Sequence, residues 1–289
     1  MKNDIPLKYK DRRTEGDTVL RQCQLTQLHL LYVFDEVCRR HGIEYFLDAG
    51  TLLGAIRHNG FIPWDDDLDV RMSGKNYRKF LRVAQSELPA DVILQNPANT
   101  PERVFAFSKL RDAYSFYAEM SNGVTLRRVN GIFMDVFTYC EIPRLPKRME
   151  KPIVFFCKMM WHYGKALRCS GGRGWLFALF GAWLSIPLFI IHYLLRAVLC
   201  VLGFVFRDRM IFYDLKTPFK ASFPRQALYP LALHRFEDGV FPVPKDADAV
   251  LTNMYGNWKT LPPECERVGG HGKLILPFNT CLVPGAMKW

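Results

Sequence analysis

The chain has 289 residues, of which 49% are hydrophobic and 14% are aromatic. This length and composition exclude a disordered chain, because they supply a sizeable core for one large domain or two small ones. The net charge is +11 and the sequence pI is about 9.3. A basic chain favours anionic partners such as nucleotides, nucleic acid or phospholipid headgroups, and charge alone does not choose among them.

The cysteine pattern and the N-terminal residues predict the compartment. The eight cysteines are scattered along the chain and none belongs to a CxxC pair, which argues against a zinc site. We interpret them as reduced core or membrane-facing residues. Residues 1–17 are polar and charged and lack the apolar segment of a signal peptide. Together these features predict a reducing, cytoplasmic location.

The first predicted elements are two helices separated by a short strand. Apolar residues recur at helical spacing over residues 20–40, and Gly42 follows at the position where a helix prefers to end. A strand is predicted over residues 43–47. Small residues then lead through a turn into a second helix over residues 51–57.

A further strand and helix follow, and strand character then continues. In residues 65–72, Leu68, Val70 and Met72 alternate with polar positions, which is typical of a strand with one buried face. A helix is predicted over residues 77–88. Four later segments have strand character: 91–95, 103–112, 115–120 and 131–140. This order predicts an α+β fold with a mixed sheet.

A change in composition at Pro143 divides the chain into three predicted parts, residues 1–142, 143–209 and 210–289. The middle part is an apolar helical insert. Within it, residues 175–195 carry no formal charge over a length that matches a membrane span. The last part returns to a globular composition.

The acidic stretch GFIPWDDDLDV at residues 60–70 is the first candidate for chemistry. If it forms a strand, Asp65, Asp67 and Asp69 share one face. Close carboxylates repel one another, so a hard divalent cation with oxygen ligands is the expected partner. The alternative is a solvated acidic turn, which the apolar residues on both sides disfavour. The glycine and terminal glutamate of an EF-hand loop are missing.

A Gly-Thr turn upstream of the acidic stretch adds a second motif. The segment AGT at residues 49–51, followed by Asp67-Leu-Asp69-Val, resembles the signature of the nucleotidyltransferase superfold. That resemblance implies a helix N-terminus approached by phosphates and paired aspartates that hold metal ions. It also implies a third carboxylate from a neighbouring strand, and Asp135 in IFMDVF fits this position.

A longer string is more specific. LDAGTLLGAIRHNGFIPWDDDLDVRM at residues 47–72 closely resembles the core motif of the LicD family. Three shorter segments resemble further blocks of that family: FSKLRD at 107–112, GIFMDVF at 131–137 and MYGNWKTLPPE at 254–264. The resemblance covers residues 25–140 and 210–272. It implies a nucleotidyltransferase-like catalytic core with a mixed sheet and flanking helices, interrupted by the apolar insert.

The activity that this resemblance implies is a metal-dependent phosphotransfer. A sugar hydroxyl of a cell-surface glycan, or of its lipid-linked precursor, attacks the phosphorus bearing choline in CDP-choline, and CMP leaves. Transfer of ethanolamine phosphate or an alditol phosphate from another CDP-activated donor is an alternative. A nucleic-acid-binding protein of the same fold is another, but no RNA-binding motif supports it. A noncatalytic membrane scaffold is disfavoured by the intact aspartates.

The acidic residues receive roles from the same resemblance. Asp67, Asp69 and Asp135 are the predicted ligands of Mg²⁺ or Mn²⁺. Asp135 is alternatively the base for the acceptor hydroxyl, or a structural residue at a strand end. Asp65 is a second candidate for that base or a residue that supports the ligands. Its structural alternative is a solvated loop residue.

Gly50 and Thr51 are expected at the donor phosphates, although Thr is also a common N-cap of an ordinary helix. Arg57 and His58 lie between the turn and the acidic stretch, where a cation binds a diphosphate or pairs with the aspartates.

Three further residues complete the predicted substrate site. Lys109 and Arg111 alternate with an apolar residue, so both are expected to face the phosphates. Trp64 is expected to stack on a base or cover the choline ammonium, and a core tryptophan is the alternative.

The insert raises a question of topology. A single membrane span at residues 175–195 would separate the C-terminal block from the aspartates, so two antiparallel segments or interfacial helices are expected instead. A soluble helical subdomain is the alternative.

The expected partners are a CDP-activated donor, a glycan or lipid-linked sugar acceptor and a membrane surface, without nucleic acid. The predicted location is the cytoplasmic face of the inner membrane.

Overall fold

The structure is a computed structural model. It describes the following residues: 10–96, 99, 107–121, 124–125, 131–144, 152, 155–156, 187–188, 190–195, 197–199, 201–202, 209–213, 222–269 and 272–276.

The N-terminal half alternates helices with strands of one sheet. Its elements are α1 (Val19–Arg40), β1 (Phe46–Leu47), α2 (Ala49–His58), β2 (Asp69–Ser73), α3 (Gly74–Glu87), β3 (Val92–Gln95), β4 (Ser108–Asp112), β5 (Phe116–Ser121), β6 (Val124–Thr125) and β7 (Phe133–Pro143).

The C-terminal half adds shorter elements. They are β8 (Arg209–Tyr213), β9 (Ser222–Pro224), α4 (Arg225–Leu228), β10 (Ala232–Phe236), β11 (Gly239–Val243), α5 (Ala247–Tyr255), a 3₁₀ helix (Glu264–Glu266) and β12 (Gly272–Leu276).

The main sheet has the strand order β1-β2-β7-β4-β3, with β8 on the far part of β7 and β9 beside β8. The pairing of β2 with β7 is parallel, and the other pairings are antiparallel. The predicted α+β class with a mixed sheet and flanking helices is therefore confirmed. Because β8 and β9 belong to this sheet, both halves of the chain build the same core.

Helix α1 is the longest helix among the described residues and forms one wall of the core. Thr18 caps its N-terminus by accepting a hydrogen bond from the Arg21 backbone, and Gly42 follows its end with a φ of +54°. The ring of Phe34 packs edge-on against Tyr45 and Phe80. The helix predicted over residues 20–40 is confirmed, and its buried face anchors α1 to the sheet.

The strand predicted over residues 65–72 begins only at Asp69, so this prediction was wrong for its first half. A turn precedes the strand, and in this turn the Asp65 backbone N–H donates to the Ile62 carbonyl at 3.0 Å. The alternation of faces that holds on a strand does not apply to Asp65 and Asp67. Their positions are set by the loop instead.

Most of the predicted insert, residues 143–209, lies outside the described residues. Of its described part, residues 190–195 and 197–199 are helical. Several apolar side chains there are exposed: Ile190, Ile191, Tyr193, Leu194, Val198 and Val201. Within the part of the chain that the structure describes, no helix has both the length and the apolar character needed to cross a membrane.

Candidate active site

Two aspartates lie side by side at the start of the parallel strand pair. Asp69 is the first residue of β2 and stands opposite Asp135 of β7 in the register. The backbone N–H of Asp135 donates to the Leu68 carbonyl at 2.8 Å, and the N–H of Asp48 donates to the Asp69 carbonyl at 3.0 Å. Sheet hydrogen bonds therefore fix the positions of both buried carboxylates.

The loop before β2 is held by two glutamines of α1. Gln24 donates its amide N–H to the Asp65 carbonyl at 3.0 Å, and Gln27 donates to the Asp66 carbonyl at 2.7 Å. The Asp66 carboxylate accepts a hydrogen bond from the Tyr117 hydroxyl at 2.9 Å and is buried. Asp66 therefore stabilises the structure of the loop itself.

Gly50 permits the loop aspartates to approach α2. A Cβ atom at Gly50 would lie 2.8 Å from Asp65 Oδ2 and 4.0 Å from Asp67 Oδ1. Any larger residue would displace the Asp65 carboxylate, so the glycine permits the present position of that carboxylate. This is a different close approach from the phosphate contact expected for Gly50.

The turn into α2 also holds Asp69. Ala49 has a φ of +46°, in the left-handed region that residues other than glycine rarely adopt. Asp48 is the N-cap of α2, so the N-cap alternative for Thr51 is wrong. The hydroxyl of Thr51 instead accepts a hydrogen bond from the Asp69 backbone N–H at 2.8 Å. Thr51 therefore links the turn to the first residue of β2.

Five carboxylates converge in this region, and we refer to them as the Asp69 cluster. Its members are Asp48, Asp65, Asp67, Asp69 and Asp135. Burial raises the pKa of Asp69 well above its ordinary value, and the charges of the other four members raise it further. The surroundings of Asp69 are thus electrostatically repulsive toward its own negative charge.

Two buried cations border the cluster. Arg71 donates to Asp48 at 2.6 Å, and Lys109 Nζ lies 2.7 Å from Asp135 Oδ1. The Lys109 ammonium also lies 3.4 Å from the centroid of the Phe133 ring. Lys109 therefore reaches the predicted site, where its described contact is with a carboxylate of the cluster.

The donor atoms of the Asp69 cluster are carboxylate oxygens, which suit Mg²⁺ or Mn²⁺. Across the described residues, however, no group of three or more His, Cys, Asp or Glu side chains is arranged closely enough to hold a metal ion. Lys109 lies against Asp135, one of the three predicted ligands. The cluster fits a divalent cation in its chemistry, and binding requires a rearrangement of side chains.

Arg111 is the clearest departure from the predicted substrate site. Its side chain is fully buried and donates to Gln95 Oε1 at 2.6 Å and to the Gly131 carbonyl at 2.7 Å. Its guanidinium also packs over the Phe133 ring. The prediction placed Arg111 at the donor phosphates, whereas these contacts hold its side chain inside the sheet layer.

Arg57, His58 and Trp64 are brought together, and the C-terminal block adds two residues to them. Arg57 donates to His58 Nε2 at 3.0 Å and to the Trp258 carbonyl at 2.9 Å. The ring centroids of His58 and Trp64 are 6.3 Å apart, and the Arg267 guanidinium lies 5.6 Å from the Trp64 centroid. We refer to these five residues as the arginine–tryptophan cluster.

Electrostatics in the arginine–tryptophan cluster are opposite in sign to those of the Asp69 cluster. Burial and the charge of Arg267 lower the pKa of Arg57. Burial and the charge of Arg57 lower the pKa of His58, which favours the neutral imidazole that accepts the Arg57 hydrogen bond. The described contacts of Arg57 are with nitrogen and a carbonyl, so the ion pair with the aspartates considered as its alternative is not formed.

Sequence reasoning missed several residues that the fold places at the site. Asp48 follows β1 directly, and its position before the Gly-Thr turn was the available signal. Partial burial raises the pKa of Tyr255, and the charges of Asp48 and Asp69 add to the effect, which places its phenol near the Asp69 cluster. Trp258 lies in the MYGNWKTLPPE segment and Arg267 follows it. No local sequence pattern shows that these two residues contact Arg57 and Trp64.

Comparison with known proteins relates the part of the chain that holds this site to a known family. Residues 42–155 match the family described as LicD/FKTN/FKRP, nucleotidyltransferase domain, and this span contains the whole Asp69 cluster. The chain carries a LicD-family domain. It is 29% identical over 273 residues to the lipopolysaccharide cholinephosphotransferase LicD of Haemophilus influenzae. That match covers 87% of this chain and 96% of the relative, so the predicted LicD resemblance is confirmed.

Two shorter matches fall within other relatives. The ribitol 5-phosphate transferase FKRP of Homo sapiens is 34% identical over 67 residues, 23% of this chain and 13% of the relative. An uncharacterized protein of Rickettsia typhi is 54% identical over 48 residues, 17% of this chain and 16% of the relative. The LicD and FKRP relatives are both named as phosphotransferases, which confirms the predicted enzyme class. The mixed sheet with flanking helices fits a LicD nucleotidyltransferase domain.

Proposed function

We propose that this LicD-family chain transfers phosphocholine from CDP-choline to a sugar hydroxyl of a cell-surface glycan or its lipid-linked precursor, and releases CMP. The observation that carries the proposal is the convergence of the Asp69 cluster within a chain similar over most of its length to a cholinephosphotransferase. A cluster with a repulsive interior suits phosphoryl transfer, because such sites work through cations held next to the phosphates.

The reaction joins the acceptor oxygen to the phosphorus that bears choline. The bond between that phosphorus and the bridging oxygen breaks, and CMP leaves with the electron pair. We assign the general base to Asp65, which is half-buried beside Gly50 and therefore accessible to an acceptor hydroxyl. Its carboxylate takes the proton of that hydroxyl. Asp135 is less suitable as the base, because it is buried against the Lys109 ammonium.

Asp67, Asp69 and Asp135 are the proposed ligands of Mg²⁺ or Mn²⁺. A bound divalent cation would supply charge stabilisation at the transferring phosphoryl group. The chain's own part is to hold these oxygens in place through the Asp69–Asp135 register and the Thr51 hydrogen bond. Gly50 and Thr51 remain the proposed neighbours of the donor phosphates at the start of α2.

We further propose that the enzyme works at the cytoplasmic face of the inner membrane, where a lipid-linked acceptor is accessible. The exposed apolar side chains of the helical residues 190–195 and 197–199, among them Ile190, Leu194 and Val198, support an interfacial position. Co-sedimentation with vesicles, compared between the wild type and the Ile190→Ser, Leu194→Ser double variant, tests this part. Equal sedimentation of both proteins would contradict it.

The experiment that tests the function measures CMP release by the purified protein with Mg²⁺ or Mn²⁺ and glycan extract as acceptor. CDP-choline, CDP-ethanolamine and CDP-ribitol are compared as donors. The proposal predicts the fastest release from CDP-choline, and no release after chelation of the metal. Absence of release from every donor by folded protein would contradict it.

Transfer of an alditol phosphate is the second candidate. The 34% identity with the ribitol 5-phosphate transferase FKRP over 67 residues favours it, although that match covers only 13% of the relative. The same donor panel separates the two, because the alternative predicts that CDP-ribitol is the preferred donor.

A further inference from the structure

The arginine–tryptophan cluster carries positive charge that the described residues do not neutralise. Arg57 bonds to a neutral imidazole and a carbonyl, and no carboxylate among the described residues pairs with it. The nearest described carboxylate of Arg267 is Glu264 at 3.8 Å, whose side chain is 90% exposed. Such an exposed, long pair contributes little. Two arginines whose charges act on each other, with this little compensation, indicate a site for an anion.

A buried donor points to the same ligand. Trp258 is 8% exposed, and its indole Nε1 has no hydrogen-bond acceptor among the described residues. A buried N–H without an acceptor is costly, so an acceptor is expected when the site is filled. The carbonyl of the same residue already holds Arg57. Phosphate oxygens are acceptors for both kinds of donor in this cluster, the indole N–H and the guanidinium groups.

Trp64 is occupied by protein groups. The Arg267 guanidinium lies over its ring and the His58 ring meets it edge-on at an interplanar angle of 80°. A cation–π site that already holds an arginine does not offer the same face to a choline ammonium. Trp64 is therefore a positioning residue that orients Arg267. Because Asp65 follows Trp64 directly in the chain, the ring under Arg267 belongs to the loop that carries the first aspartates of the Asp69 cluster.

We propose that Arg57, Arg267 and the indole N–H of Trp258 form a subsite for the diphosphate of the nucleotide-activated donor. The segment after α5 completes this subsite, since it supplies both Trp258 and Arg267. The assignment of the diphosphate to a donor rests on the proposed function. The preference for a diphosphate group does not, and it is measurable without turnover.

The test uses inorganic pyrophosphate as the probe, with the full chain in EDTA and binding followed by calorimetry. We expect the wild type to bind pyrophosphate at least tenfold more tightly than inorganic phosphate. Arg267→Gln should weaken pyrophosphate binding by about tenfold or more, since it removes a charge-assisted hydrogen-bond donor. Trp258→Phe, which keeps an aromatic ring but removes the N–H together with the smaller ring of the indole, should weaken it by a smaller factor.

A matched control is Arg225→Gln. Arg225 also lies over an aromatic ring, that of Tyr229, but it pairs with Glu141 at 3.2 Å. This variant should bind pyrophosphate as the wild type does. Circular dichroism and thermal melting confirm that all variants are folded. Wild-type affinity in folded Arg267→Gln, or equal binding of phosphate and pyrophosphate, would overturn the subsite.

Turnover separates this inference from the proposed function. With CDP-choline, Arg267→Gln should raise KM by about tenfold or more and change kcat much less, because the subsite contributes to donor binding. If the wild type cleaves no CDP donor but loses pyrophosphate affinity through Arg267→Gln, the subsite stands and the donor assignment fails. If cleavage persists with unchanged KM and pyrophosphate affinity, the subsite fails and the function stands.

Discussion

Two groups of neighbouring acidic residues in this molecule differ in how their negative charges are balanced. In the first, which we refer to as the Arg13 cluster, Arg13 is surrounded by Asp11, Asp91 and Asp112, and His29 also contacts Asp91. Burial would raise the pKa of Asp91, but the hydrogen bond and charge of His29 and the charge of Arg13 lower it. The protein's own cations therefore stabilise these carboxylates.

The Asp69 cluster has the opposite balance. Burial and neighbouring carboxylates both raise the pKa of Asp69, although Arg71 and Lys109 contact two other members. The charges of the Arg13 cluster are balanced by the protein's own cations, and we propose that an added cation balances those of the Asp69 cluster. The contrast explains why an acidic group in a protein interior is structural in one place and a candidate for catalysis in another.

The largest expected difference is between Asp69→Asn and Asp112→Asn. Asp69→Asn should lower metal-dependent CMP release by about a thousandfold or more, because it removes the charge of a proposed metal ligand. Asp112→Asn should lower the free energy of unfolding by about 1–3 kcal/mol, since it weakens a buried charged hydrogen bond to Arg13. Its CMP release per folded molecule should be unchanged. Paired activity and urea-unfolding measurements check both, and equal activities would contradict the contrast.

Lys109→Met should destabilise the metal-free protein by about 3–5 kcal/mol, because it leaves Asp135 buried without its ammonium partner. Mg²⁺ should restore part of this loss, since a cation can replace the lost charge. Thermal melting in EDTA and in Mg²⁺ measures the effect. Lys79→Met, at an exposed lysine that donates to the His41 carbonyl, is the control. A melting temperature of Lys109→Met that is insensitive to Mg²⁺ would speak against this account.

The two clusters should also differ in the sign of their pH dependence. Because the pKa of Asp69 is raised on folding, stability should fall as pH rises from the unfolded pKa of Asp69 toward its folded value, by about 1.4 kcal/mol per pH unit for one group. Because the pKa of Asp91 is lowered, its contribution should be lost as pH falls. In EDTA, Asp69→Asn should reduce the fall in stability with rising pH, and Asp91→Asn should reduce the loss of stability with falling pH. Slopes that neither variant alters would contradict the assignment.

The smallest expected effect concerns Thr51. Thr51→Val removes the acceptor for the Asp69 backbone N–H and should cost about 1 kcal/mol of stability. CMP release should fall by about tenfold, because the first residue of β2 is held less firmly. Thr51→Ser keeps the hydroxyl and should retain most of the activity. Activity in Thr51→Val equal to the wild type would show that the hydrogen bond has no catalytic consequence.

Local patterns predicted the elements better than they predicted the contacts of the site. The helical spacing before Arg40 and the alternation at Leu68, Val70 and Met72 reported buried faces, so α1 and β2 were found. The acidic loop was mistaken for a strand, because its shape depends on two glutamines of α1 that are distant in sequence. The alternation of charged and apolar residues likewise predicted that Arg111 faces the phosphates. In the structure, its side chain is buried and bonds instead to a residue of β3 and to Gly131.

Residues that meet only through the fold were the hardest to predict. The Asp69–Asp135 pair required the parallel register of β2 with β7, and a family motif supplied what spacing alone did not. Arg267 reaches Trp64 across about two hundred residues of sequence, so no local signal marks it. Sequence motifs therefore identified the candidate catalytic residues, and the tertiary contacts show which other residues surround them.

Direct measurement of metal binding tests the central claim, that the Asp69 cluster is a cation site and the Arg13 cluster is not. Calorimetric titration with Mn²⁺ would compare the wild type, Asp69→Asn and Asp91→Asn. We predict that the wild type and Asp91→Asn bind Mn²⁺ alike and that Asp69→Asn loses most of the affinity. Failure of the folded wild type to bind Mn²⁺, or undiminished binding by Asp69→Asn, would contradict the claim.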